Sequence, residues 1–213
     1  MIALGRRQGF VIAVAAMAAV VLLSNILVQH PLAFRVGRLE LADLLTWGAF
    51  TYPLAFLVTD LTNRLFGAPT ARLVVYVGFA IAVALSIYFS TPRIAIASGS
   101  AFLVGQLLDV GVFNALRERT WWKAPAFSSL LGSFVDTLLF FSLAFAPFFA
   151  FAGPNDAFAV EAAPFLGIFA AEAPRWLSWA FGDFSVKLLI AALALIPYRL
   201  VIGAVLPVRQ AAS

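Results

Sequence analysis

Asp60, Asp109 and Asp136 each stand inside a long apolar run. An ionisable side chain at the centre of a bilayer costs about 2.5–3.5 kcal/mol on insertion scales, so it is kept there only when buried in a bundle and joined to a polar partner. Each of the three has polar neighbours at helical spacing. Asn63 and Arg64 follow Asp60 at i+3 and i+4, on one helix face. Gln106 precedes Asp109 by three, and Asn114 falls near the end of the same run. Ser128, Ser129, Gly132, Ser133, Asp136 and Thr137 form one small polar stripe. Further on, Asp183 and Lys187 are spaced i, i+4 in the order that favours an ion pair.

Each cluster also has a structural reading. Arg64 could simply neutralise Asp60, and small residues promote close helix packing without any ligand. Lys187, which alone among the lysines lies within a span, could pair with Asp183 or snorkel to the outer surface. Asp60, Asp109, Asp136 and Asp183 nevertheless face only Arg64 and Lys187. At least two carboxylates therefore lack a cation, and must be protonated or satisfied by a ligand or water. A polar-substrate site or a proton path has this composition.

Enzyme chemistry finds little to use. The single histidine, His30, lies at the end of the first apolar run beside Pro31, and there are no cysteines. No zinc site, Cys–His pair or Ser–His pair can be built at depth. Walker-type phosphate loops and potassium-channel filter motifs are absent as well. No enzyme activity, cofactor or metal is expected.

The elements that must hold these residues are helices in a membrane. Of 213 residues, 63% are hydrophobic and 11% charged, where soluble domains carry about 25% charge. Runs of about 20 apolar residues span a hydrocarbon core roughly 30 Å thick. The expected fold is an all-α polytopic bundle of six transmembrane helices, at approximately 9–29, 43–66, 70–90, 94–116, 126–151 and 181–203. It forms a single integral membrane domain over 1–213. The first run is longer than a signal-peptide core of about 7–15 residues, which favours a retained helix.

Basic residues orient the bundle. With the N-terminus inside, nine lie on inner segments (Arg6, Arg7, Arg64, Arg72, Arg117, Arg119, Lys123, Arg199, Arg209). Four lie outside (Arg35, Arg38, Arg93, Arg175). The bias places both termini in the cytoplasm. It also accounts for the net charge of +4 without nucleic acid, since no basic run accompanies it. The loop 152–180 then lies outside, where Phe165, Phe169, Trp176 and Trp179 suggest an amphipathic segment on the membrane surface. Residues 55–61 echo residues 101–107, a hint of duplicated hairpins.

Several stretches resemble the queuosine precursor transporter family: Thr46–Phe50, Thr59–Pro69, Gly105–Arg117, Trp121–Pro125, Asp136–Phe141 and Asp183–Ile190. That family belongs to the vitamin uptake transporter group and is similar to the substrate-binding components of energy-coupling-factor importers. The resemblance covers spans two to six; residues 1–40 and 142–182 match poorly. It implies a multi-pass protein of the bacterial inner membrane that imports 7-cyano-7-deazaguanine or 7-aminomethyl-7-deazaguanine for tRNA queuosine salvage. A carboxylate accepts two ring N–H groups side by side, an amide side chain matches a donor with an acceptor, and aromatics stack on the ring. The residues of the right chemistry are Asp60, Asn63, Gln106, Asp109 and Asp136, with Trp47 or a nearby Phe for stacking. Arg64, Asp183 and Lys187 are the charge partners. Trp121 and Trp122 border a loop and read as interfacial anchors.

Three functional classes remain open on these residues. A self-sufficient carrier would accumulate ligand alone. A binding subunit, for this or another nucleobase-like or vitamin ligand, would need a partner ATPase docked against a face such as Ala15 and Ala19. A homo-oligomer is compatible with either. A scaffold that moves nothing would have no use for buried carboxylates. The preferred precursor and the energy source are not written in the residues.

Overall fold

Hydrogen bonding in lipid must be satisfied within each segment, so apolar runs of this length become helices. The computed structural model describes residues 5–205; Arg209, counted above among the inner cations, lies outside them. After α1 (Arg6–Leu27) come a two-stranded hairpin, β1 (Arg35–Val36) with β2 (Leu39–Glu40), and a 3-10 turn at Leu41–Asp43. The chain continues through α2 (Gly48–Thr51), α3 (Leu54–Phe66), α4 (Ala68–Phe89), α5 (Pro92–Leu116) and α6 (Lys123–Phe145). Beyond α6 lie a 3-10 segment, Pro147–Ala152, then α7 (Ala157–Val160) and the hairpin of β3 (Ala162–Pro164) with β4 (Glu172–Pro174). The last helix is α8 (Arg175–Val205). Five helices, α1, α4, α5, α6 and α8, are long and apolar enough to cross a membrane. The protein is an all-α polytopic membrane protein.

The second predicted span is interrupted, and proline is the reason. Pro53 has no N–H to donate and its ring crowds the preceding turn. The bonds there tighten to Ala55 N–H to the Tyr52 carbonyl and Phe56 N–H to the Pro53 carbonyl. What was expected as one helix over 43–66 becomes a 3-10 turn, α2 and α3. The 13 residues of α3 rise only about 20 Å. The fifth span stops at Phe145 instead of 151, because Ala146 precedes Pro147 and is driven extended (ψ 131°). The sixth begins at Arg175, six residues before its predicted start.

One glycine and one arginine set the turns. Gly67, at φ +89°, lets α3 end and α4 begin across a single residue, a conformation that costs other residues Cβ contacts. Arg93 is buried at the start of α5 and gathers the end of α6. It donates to the carbonyls of Leu143 (2.9 Å), Ala146 (2.7 Å), Gly153 and Pro154 (both 3.1 Å), and to Asn155 Oδ1 (2.9 Å). An extracellular cation expected from loop charge is thus a buried clamp.

The core lies between α1, α3, α4 and α5, where Met17, Val21, Ala55, Val74, Val75 and Phe102 are buried. Large apolar side chains such as Leu73, Ile87, Phe134, Leu189, Ile196 and Leu200 point outward, the reverse of a soluble protein and the pattern a lipid-facing surface requires. The 152–180 region, expected to hold an amphipathic segment on the membrane surface, is divided among α7, the β3–β4 hairpin and the start of α8. Trp176 and Trp179 begin α8, and the rest folds as a hairpin against it. Trp179 Nε1 donates to the Asp43 carbonyl (2.8 Å) and Ser178 Oγ accepts from the Leu166 N–H (2.9 Å). Those two bonds tie the loop to the 3-10 turn before α2 and to its own helix.

Candidate functional site

A cavity of about 830 Å³ opens between α1, α2, α5, α6 and α8, within the roughly 300–1,000 Å³ common for small-molecule sites. Its walls are mainly apolar, with Phe102, Phe140, Phe141, Phe145 and Tyr52 among them. Its mouth is framed by Arg38 and Glu40 from the first hairpin and by Phe158, Leu166 and Trp179 from the 152–180 region. The floor carries charge. Asp136, Asp183 and Lys187 all line it.

Lys187 is 3% exposed, so it does not snorkel. The turn of α8 that carries it also carries Asp183, and α6 brings Asp136 and Thr137 from the opposite side. Its Nζ donates to Asp136 Oδ2 (2.6 Å) and Thr137 Oγ1 (2.9 Å) and is ion-paired with Asp183 Oδ2 (2.5 Å). The Thr137 hydroxyl in turn donates to Asp183 Oδ2 (2.8 Å), and the Tyr52 hydroxyl donates to Asp136 Oδ1 (2.7 Å). Both oxygens of Asp136 are thereby occupied. Asp183 Oδ1 accepts no bond among the described residues, and this side chain is the more open of the two, at 17% against 4%. The floor thus sets two carboxyl groups against one ammonium group. It is a preorganised acceptor for N–H groups, one oxygen of which faces the cavity unpaired.

A second polar cluster lies behind the cavity, in the buried seam between α3, α5 and α6. Asp60, Asn63, Gln106, Asp109, Ser128 and Ser133 are all at most 2% exposed. Ser128 and Ser129 donate to the two oxygens of Asp60 (3.1 and 3.2 Å), and Asp60 adjoins Asp109. Thr59 Oγ1 meets Gln106 Oε1 at 2.6 Å, and Asn63 Nδ2 donates to the Val110 carbonyl. The remainder is unmatched: both oxygens of Asp109, Asn63 Oδ1, Gln106 Nε2 and Ser133 Oγ have no partner.

Glycines bring the two clusters together. Gly105 and Asp109 on α5, and Gly132 and Asp136 on α6, repeat one G-x-x-x-D pattern in each helix. Where the helices cross, a Cβ built on Gly105 would come within 2.9 Å of Asp136 Cβ. One built on Gly132 would come within 3.2 Å of Asp109 Cβ and 2.8 Å of the Phe56 ring. Each helix thus carries its aspartate over the other's glycine, and the carboxylates occupy successive levels of the crossing.

Of the residues expected to contact ligand, only Asp136 lines the cavity. Asp60, Asn63, Gln106 and Asp109 are buried and do not line it. Trp47 lines no part of it; half-exposed, it packs edge-on against Phe34. Arg64 does not neutralise Asp60. Its side chain turns to the Tyr198 hydroxyl (2.7 Å), the Arg117 carbonyl (2.8 Å) and the Phe113 ring, because the seam around Asp60 is filled by α6 serines. Asp183 and Lys187 form the ion pair that their spacing suggested. Tyr52 escaped sequence reasoning; its signal was the Tyr-Pro pair in mid-span, since interrupted helices mark binding sites in transporters.

Helices long and apolar enough to cross a membrane, packed around a charged and aromatic-walled cavity, fit a membrane transporter of small molecules. A family profile described as "Putative vitamin uptake transporter" matches residues 46–91 and 84–201. The chain is 37% identical over 195 residues to the "Queuosine precursor transporter" of Escherichia coli, covering 82% of this chain and 77% of that protein. It is 38% identical over 183 residues to the "Probable queuosine precursor transporter" of Haemophilus influenzae, covering 76% and 70%. A relative of the same description in Bacillus subtilis is 28% identical over 128 residues, 47% of this chain and 56% of that one. No solved structure matches the chain significantly. The protein belongs to the vitamin uptake transporter family, among its queuosine precursor transporters.

Proposed function

We propose that this protein resides in the bacterial inner membrane and imports 7-cyano-7-deazaguanine, 7-aminomethyl-7-deazaguanine or both, for queuosine salvage. The observation that carries the reading is the unpaired oxygen of Asp183 on a floor that Lys187 and Tyr52 hold rigid. A deazaguanine ring presents adjacent N–H donors to such an acceptor, while Phe140, Phe141 and Phe145 offer faces for stacking. The α2–α3 break belongs to the same site, since Tyr52 stands at it and reaches Asp136. Counted together, α2 and α3 supply a sixth crossing. Both termini then lie in the cytoplasm, and the cavity mouth opens outward beneath the two hairpins.

Uptake of labelled 7-cyano-7-deazaguanine in cells that cannot synthesise it tests the reading. Accumulation with this gene and none without it is the expected result; equal accumulation in both refutes import. The same assay in cells lacking candidate ATPase partners separates a carrier from a binding subunit. Reporter fusions at Ser213 and within residues 155–175 should place the first inside and the second outside.

A further inference from the structure

We propose that the Asp60–Asp109 pair is a proton-binding site that couples import to an inward proton flow, a step that rests on the import reading above. Two carboxyls adjoin each other in a buried seam, and none of the ion pairs among the described residues involves either one. The charged and titratable groups on the packed elements make their bonds elsewhere, although Arg64 Nη2 is buried without a partner. Arg64 of α3 turns to Tyr198 of α8 and the Arg117 carbonyl. Asp136 of α6 is claimed by Lys187 of α8 and by Tyr52. What α6 otherwise offers is hydroxyls, of which two already serve Asp60.

The orphaned atoms point to the ligand. Asp109 carries two unmatched oxygens, and Gln106, one turn away on the same helix, carries an unmatched amide end. Exchanging the amide's oxygen and nitrogen would leave the other end unmatched instead. A free space of only about 10 Å³ touches Asp60 and Ser129, at or below the size of one water. A proton shared between the carboxyls fits that seam; a metal ion with a shell of oxygens does not.

Coupling follows from the crossing. Losing the proton sets two like charges side by side in a buried interface, which repel strongly at low dielectric. That repulsion acts on α3, α5 and α6 where Asp109 Cβ rests over Gly132 and Asp136 Cβ over Gly105. Movement at the inner level is therefore felt at the cavity floor. The cavity-open form holds the proton; release to the cytoplasm loosens the seam and opens the path inward. One O–H bond forms on the outer side and the same bond breaks on the inner side.

The test uses the full chain in liposomes with labelled 7-cyano-7-deazaguanine, the membrane potential clamped at zero. With one proton per ligand, a pH gradient of about one unit, acid outside, drives accumulation toward about tenfold. Ligand added outside also acidifies the lumen. Asp109→Asn should accumulate none, with an inside-to-outside ratio near one and no lumen acidification, while still exchanging labelled for unlabelled ligand. Asp60→Asn gives the same pattern and serves if Asp109→Asn does not fold. Wild-type uptake that ignores the pH gradient, follows a sodium gradient instead, or survives with full pH response in both variants overturns the proton site. Failure of the wild type to exchange ligand at all overturns the self-sufficient carrier that this coupling needs, while the import reading stands or falls on the cellular uptake assay.

Discussion

Lys187→Met removes the one cation on the cavity floor and keeps much of its length and apolar bulk. Two donated bonds, to Asp136 and Thr137, vanish together with the ion pair to Asp183. The two carboxylates do not suffer equally. Asp136, 4% exposed, retains only the Tyr52 hydroxyl, whereas Asp183, 17% exposed, retains Thr137 and faces the cavity. Breaking a buried pair by deleting one partner costs about 3–5 kcal/mol, because the other charge is stranded. At about 2–4 °C per kcal/mol for a chain of this size, the purified protein should melt roughly 6–20 °C lower. Asp136→Asn added to Lys187→Met removes the worse-stranded charge and leaves an amide oxygen for Tyr52. The double variant should then recover about 1–3 kcal/mol relative to the single. Thermal melting in detergent, read by intrinsic tryptophan fluorescence, measures all four corners of the cycle. A Lys187→Met protein melting with wild type, or a double variant no better than the sum of the singles, would show that the ion pair holds nothing.

Two further changes probe the frame around the site. Arg93→Ala deletes five bonds to the end of α6 and the turn beyond it, and should cost about 3 kcal/mol or more in melting experiments, since several carbonyls lose their only charged donor. Arg93→Lys should recover less than half of that, as one ammonium cannot span the fork; full recovery by lysine would refute the clamp. Gly132→Ala pushes a methyl into Phe56 and the Gly105 carbonyl, with an overpacking cost of about 1–3 kcal/mol. Gly111→Ala, with nothing within 4 Å of its new Cβ, is the control and should melt with or above wild type.

Helical period and the cost of charge in lipid were enough to find α1, α4, α5, α6 and α8, and to single out every carboxylate now seen in the two clusters. The partition between the clusters was not legible. It depends on how closely α5 and α6 approach, and that is set by two glycines whose partners lie on the other helix. Spacing along one helix reports which residues share a face, so Asp183 and Lys187 could be paired from the sequence. The same rule left Arg64 open as a partner of Asp60, because i, i+4 proximity does not say which of several neighbours a long side chain will choose. Arg93 illustrates the limit from the other side: a cation beside a proline in a predicted loop has the signature of an exposed residue. Only the fold shows that the chain after α6 turns back over it and delivers carbonyls without donors. Both failures involve arginine for the same physical reason, that its long stem lets the charge act far from its backbone position. Aspartate, with a single methylene between backbone and carboxyl, stays where the helix puts it, which is why the acidic residues carry most of what the sequence says about this site.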